Sequence, residues 1–170
     1  MQNKIFISEV SSNHSRNLER CYAFINKSAE IGCGAVKFQL FKIKELFSPE
    51  ILRQSAEHRS REAWELPVEF LPKLSERCKQ ANIQFCCTPF YLDAVAELLP
   101  YVDFYKIASY ELMWDALLEK CAKTGKPMVV STGMATMAEN SHPRSSWMIS
   151  WLFHDLQKMQ DVHWEWCYQR

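Results

Sequence analysis

The chain has 170 residues, 48% apolar and 24% charged, and its 20 basic and 20 acidic residues cancel to a formal charge of zero. That length suits one domain with a sizeable core, and the balanced charge argues against the basic stripe of a nucleic-acid binder. No stretch approaches the roughly 20 consecutive apolar residues of a membrane span, and Met-Gln-Asn-Lys lacks a signal peptide's apolar segment, so no membrane partner is expected.

Ile5 to Val10 reads as a short apolar strand, followed by the polar turn Ser11-Ser12-Asn13-His14. Asn17 or Ser15 is placed to cap a helix whose apolar face is Leu18, Cys21, Tyr22, Ile25 and Ala29. Gly32 and Gly34 end it, and Ala35 to Leu40 forms a second strand. Phe41 to Leu66 is a long, charged connection, and such a segment inside a compact domain is usually functional or contains an extra helix. Pro67 is expected to open a helix with Phe70, Leu71, Leu74 and Cys78 inward. Strands at Ile83 to Thr88, Phe104 to Ala108 and Met128 to Ser131 then alternate with helices at Tyr91 to Leu99 and Trp114 to Ala122. Five strands with intervening helices predict an α/β fold with a parallel sheet and crossover helices.

After Glu139 the character changes. Four of the chain's six tryptophans (Trp147, Trp151, Trp164, Trp166) fall in the last 24 residues. Met148, Leu152, Phe153, Leu156 and Met159 would form one apolar helical face, whereas the final ten residues show no helix period. Residues 1–139 are therefore read as one unit and 140–170 as a divergent tail. That tail is either an aberrant terminus, such as a reading-frame change would produce, or a short authentic helix.

The chemistry-bearing residues fall toward the C-terminal ends of the expected strands, where a parallel α/β barrel builds its active site. Lys37 and Lys106 interrupt otherwise apolar strands, and an unpaired buried ammonium is costly. They are either point charges for a phosphate or carboxylate, or surface lysines paired with Glu9 or Glu111. Thr88, Ser109, Ser131 and Thr132 add hydroxyls; each alone is an ordinary turn or cap residue, but together they suggest an anion pocket. Glu9 and Glu111 are candidate acid/base groups, because burial or a neighbouring lysine moves a carboxylate's pKa. Asn13 and His14 would orient a sugar hydroxyl or a bound water, or His14 is simply structural. Cys86 and Cys87 on one strand point to opposite faces, and His142, His154 and His163 lie in the tail, so no metal ligand is assigned. The seven cysteines (Cys21, Cys33, Cys78, Cys86, Cys87, Cys121, Cys167) include no Cys-x-x-Cys pair. They suit reduced thiols in a cytoplasmic setting.

Taken in order, Glu9-x-x-x-Asn13-His14, Val36-Lys37-Phe38-Gln39, Thr88-Pro89-Phe90, Tyr105-Lys106-Ile107-Ala108-Ser109-x-Glu111 and Ser131-Thr132-Gly133-Met134 resemble the N-terminal barrel portion of the sialic acid synthase family. The resemblance runs from about Ile5 to Glu139. It implies a TIM-type (β/α) barrel, incomplete here: a closed barrel takes eight βα units over about 250 residues, against five strands in this chain. It also implies condensation of phosphoenolpyruvate with N-acetylmannosamine, its 6-phosphate or a related amino sugar. Lys37, Thr88, Lys106, Ser109 and Ser131 would hold the phosphoenolpyruvate anion. Glu9 would face the sugar, Glu111 would lie close by as a second acid/base group, and Gln39 and Asn13 would support that shell. Members of the family use a divalent metal, manganese or magnesium, through histidines in later strands beyond this match, and full-length members form homodimers. Ser11 and Arg16 replace, or lie near, glycines usual in the family, and Tyr110 stands where many relatives carry glycine. The expectation is a truncated synthase-like chain of impaired activity. Its alternatives are a non-catalytic module that binds an anion or a full-length subunit, and another barrel lyase.

Overall fold

The computed structural model describes residues 5–136. Within them five strands, β1 (Ile7–Ser11), β2 (Ala35–Leu40), β3 (Gln84–Pro89), β4 (Phe104–Ile107) and β5 (Met128–Val130), form one sheet in sequence order. Every neighbouring pair is parallel. The helices are α1 (Leu18–Glu30), α2 (Ile43–Leu46), α3 (Pro49–Gln54), α4 (Ala56–Ser60), α5 (Leu71–Gln80), α6 (Leu92–Leu98) and α7 (Asp115–Ala122). The expected five-stranded parallel α/β sheet is thus present, and it does not close on itself among the described residues. The tail assigned to 140–170 lies outside the described residues, as do its histidines.

Strand alternation sorts the side chains onto two faces. Val36, Phe38, Leu40, Phe85, Cys87, Tyr105 and Ile107 join the helices in the main core, against Cys21, Ile25, Leu71, Leu74, Leu98 and Leu117. The intervening positions turn to the other face, where Ala35, Cys86 and Phe104 form a small buried cluster with Val129 against it. Cys86 and Cys87 thus serve opposite faces, as their spacing requires. The six described cysteines are free thiols.

Helix ends follow local chemistry. Asn17 caps α1 by accepting from Arg20 N–H at 2.9 Å, an interaction worth about 1 kcal/mol. Gly32 ends the turn beyond the helix at φ 85°, a backbone state that glycine reaches without a Cβ clash. The helix expected to start at Pro67 is corrected. Pro67 precedes a 3-10 turn (Val68–Phe70), and α5 starts at Leu71 with Pro72 in its first turn. Proline suits a first helical turn in general, so the sequence signal was sound but attached to the wrong proline. The long connection holds α2, α3 and α4 plus a 3-10 turn at Arg61–Trp64. Arg16 reaches from the β1–α1 turn to donate to the Glu62 carbonyl at 3.0 Å, tying this excursion to the rim of the sheet.

Candidate functional site

Register sets the site. Glu9 lies opposite Lys37 across β1 and β2, and Lys37 lies opposite Cys86 on β3. One layer up, Gln39 pairs with Thr88. Thr88 and Lys106 are the next residues beyond the Cys87–Tyr105 pairing, and Lys106 lies opposite Val129. In parallel strands, residues in register share a face, so Glu9, Lys37, Gln39, Thr88 and Lys106 project from the face that carries the Ala35–Cys86–Phe104 cluster. Glu9 and Lys37 sit in mid-strand, whereas Lys106 is the next-to-last residue of β4.

The two lysines differ. Lys37 and Glu9 form an ion pair, the lysine side chain 12% exposed and the carboxylate 47%. The other Glu9 oxygen accepts from Ser11 N–H at 2.9 Å, and Ser11 Oγ donates to Gln39 Oε1 at 3.1 Å. Lys106 donates to the Ile107 carbonyl at 2.8 Å and to Ser131 Oγ. Among the described residues no carboxylate lies within ion-pair distance of it. Burial, followed by the charge of Lys37, brings the Lys106 ammonium down to about 8. Of the two readings open for the lysines, pairing with a carboxylate holds for Lys37 and fails for Lys106.

Two further groups on this rim are buried without a hydrogen-bond partner among the described residues, Thr88 Oγ1 and Glu111 Oε2. Glu111 ends a 3-10 turn, Ser109–Glu111, directly after β4. Burial raises its pKa, against the opposing pull of a backbone hydrogen bond and of Lys106. Cys86 lies between the lysines, but burial pushes its thiol up to about 12, which removes it as a nucleophile.

Other expected residues stand apart. Ser109 is exposed; its Cβ would be 2.8 Å from a Cβ placed on Gly133, which sits at φ 57°. Gly133 therefore lets the β5 loop approach the β4 loop. Asn13 is exposed in the β1–α1 turn. His14 is fully buried, with its ring 6.4 Å from the Phe38 ring of the main core. Its Nδ1 accepts from Arg16 N–H at 3.0 Å, so His14 belongs to the turn and core and not to the site face. Ser11, Ser15 and Arg16 all hold left-handed φ (54°, 49°, 53°), which explains why glycine would be at home in this turn. Tyr110 is 96% exposed. Sequence reasoning treated Ser11 only as a departure from pattern and missed its bridge between Glu9 and Gln39. A polar residue at the end of a strand, two positions after a carboxylate, was the available signal.

No three His, Cys, Asp or Glu side chains among the described residues converge to hold a metal ion. The described donor set does not fit one.

A family model described as the NeuB family matches residues 24–147. The chain belongs to the NeuB family. An N,N'-diacetyllegionaminic acid synthase of Campylobacter jejuni is 33% identical to this NeuB-family chain over 150 residues, covering 82% of the chain and 45% of that protein. The solved N-acetylneuraminic acid synthetase of Leptospira borgpetersenii, in complex with citrate, superimposes with a TM-score of 0.75 at 26% identity, covering 90% of the chain and 51% of that structure. A truncated 3-deoxy-D-arabino-heptulosonate 7-phosphate synthase of Thermotoga maritima shares the fold, with a TM-score of 0.62 at 14% identity. The NeuB-family chain spans about half, or less, of the length of the relatives it matches. No helix among the described residues is long and apolar enough to cross a membrane.

Proposed function

We propose that this chain is a nonulosonic-acid-synthase-like protein whose lysine-bearing sheet face binds phosphoenolpyruvate beside an N-acetylated amino sugar. That sugar is N-acetylmannosamine, its 6-phosphate or a relative. The observation that carries this reading is the gathering of Lys37, Thr88, Lys106 and, through its hydrogen bond to Lys106, Ser131 on one rim. In this reading the two ammonium groups and the hydroxyls hold the phosphate and carboxylate, with Ser109 at the edge. Donors fixed in advance stabilise the charge that accumulates on a departing phosphate. Glu9 faces the sugar, and Gln39 and Asn13 support that shell. Glu111, whose carboxyl burial keeps protonated to higher pH, serves as the acid/base group. The six free thiols among the described residues fit a cytoplasmic setting.

The outer edges of β1 and β5 have no strand partner among the described residues. Such edges recruit other chains, which favours a second reading: a non-catalytic module that binds the anion or associates with a longer subunit. Thermal melting with and without phosphoenolpyruvate, on the wild type and on Lys37→Ala and Lys106→Ala, tests the anion site. Ligand at a hundred times its dissociation constant stabilises by about 2.7 kcal/mol, so a clear rise in Tm is expected in the wild type only. No rise, or a rise that both variants share, overturns the reading. Turnover with manganese and N-acetylmannosamine then separates enzyme from binding module.

A further inference from the structure

Lys106 is a half-buried amine whose acceptors, the Ile107 carbonyl and Ser131 Oγ, are both neutral. Lys37, by contrast, is neutralised by Glu9. Beside Lys106 on the next strand is Thr88, with its buried hydroxyl unpartnered, and Glu111 Oε2 is likewise buried and unpartnered. Glu111 is near enough for its charge to act on Lys106. A lysine held among neutral groups and next to a second cation is activated as a nucleophile toward carbonyls.

We propose that the Lys106 amine condenses with the carbonyl of a small 2-oxo acid to form an imine, with the acid's carboxylate lying between Lys37 and the Thr88 hydroxyl. This rests on the reading of the same rim as an anion site. It adds a covalent step that phosphoenolpyruvate does not undergo, because the C2 oxygen of that ligand is esterified.

The Nζ lone pair attacks C2 of the oxo acid and forms the C–N bond, while the carbonyl π electrons move to oxygen. The Glu111 carboxylate takes a proton from the attacking nitrogen and passes it to that oxygen. Loss of the hydroxyl as water, with a second proton relayed from nitrogen through Glu111, leaves C=N in place of C=O. No oxidant or reductant is consumed. Lys37 (β2), Glu9 (β1), Cys86 (β3) and Glu111 are the titratable groups acting on the amine. At pH 8 the neutral amine is roughly a hundredfold more abundant at this site than on an ordinary lysine.

The test uses the full chain with pyruvate and sodium cyanoborohydride at pH 8, followed by peptide mapping in a mass spectrometer. The expected result is a reduced adduct on Lys106 exceeding that on an exposed lysine such as Lys27 by at least about tenfold. It should be lost in Lys106→Arg and suppressed by phosphoenolpyruvate. An adduct spread evenly over the exposed lysines, or concentrated on Lys37, overturns the proposal. If Lys106→Arg does not fold, the wild-type map alone decides. A melting shift with phosphoenolpyruvate but no adduct on Lys106 sinks the imine and leaves the anion site standing. An adduct on Lys106 without that shift supports the imine and sinks the phosphoenolpyruvate reading.

Discussion

Glu9 and Lys37 face each other in register across β1 and β2 and form an ion pair on the sheet face that also carries Lys106. Half of the rim's positive charge is therefore neutralised within the chain, and Lys106 is the site lysine without a carboxylate partner among the described residues. An incoming anion must either displace Glu9 from Lys37 or rely chiefly on Lys106.

Removing the competing carboxylate should therefore tighten anion binding. Glu9→Gln is expected to raise affinity for inorganic phosphate about two- to fivefold, the range corresponding to a partly exposed ion pair of about 0.5–1 kcal/mol. Titration calorimetry at two ionic strengths measures it, and the gain should shrink at the higher salt. Unchanged or weaker phosphate binding would mean that Lys37 takes no part in the anion site.

Binding should also carry the titration of Lys106. Its ammonium is held down to about 8 from 10.5, so phosphoenolpyruvate affinity should fall as pH rises through about 8. The linked effect on folding has the opposite sense. Between about 8 and 10.5 the unfolded chain binds a proton that the folded chain does not, so this group's contribution to stability grows with pH across that window and is lost as pH falls through 8. Lys106→Met should flatten both profiles. Binding curves and denaturant melts between pH 7 and 10 would expose a failure of either, within about half a unit.

Glu111 presents the converse case, an acid whose pKa burial raises. Above its folded pKa the folded state carries a buried charge, so stability falls as pH rises from the ordinary carboxylate range through the folded pKa. Glu111→Gln is expected to raise Tm at neutral pH by a few degrees, equivalent to about 1 kcal/mol. That advantage should vanish in acid, where wild-type Glu111 is itself neutral. A variant that melts lower at every pH would show that the carboxylate has a stabilising partner.

The turns allow a paired test of backbone strain. Gly133→Ala places a Cβ 2.8 Å from Ser109 Cβ at φ 57° and should destabilise by about 1–2 kcal/mol. Ser15→Gly, at φ 49° in an exposed turn, should stabilise by up to about 1 kcal/mol. Chemical denaturation of both variants checks the pair, and equal signs would refute the strain argument.

Much of this arrangement was legible in the sequence because strand alternation is local. The run Ala35 to Leu40 carried its own bounds, and Lys37 and Gln39 had to share a face once Phe38 was inside. Cys86 and Cys87 were separable for the same reason. What the sequence did not show was which partner each charged group finds. Glu9 claims Lys37 because β1 and β2 meet in that register, and nothing local distinguishes Lys37 from Lys106. His14 is a burial effect, since only the packed turn decides whether its imidazole meets solvent or Phe38. Pro67 and Pro72 lie five residues apart, and both satisfy the rules for opening a helix. The choice fell to the apolar stripe Leu71, Leu74 and Cys78, which must reach the sheet.

The Arg16 guanidinium on the Glu62 carbonyl has a kinetic side. The excursion of residues 41–66 is anchored near its ends by buried Phe41, Ile43 and Leu66 and by the Lys42–Glu97 ion pair, but α3 and α4 bury no side chain, so little besides the Arg16 contact holds its middle down. Segments with so little buried surface open on their own, well below the free energy of global unfolding. Amide hydrogens of α3 and α4 should therefore exchange early, and a protease should find its first cut there. The rim of lysines would be left intact on a sheet that has not yet come apart.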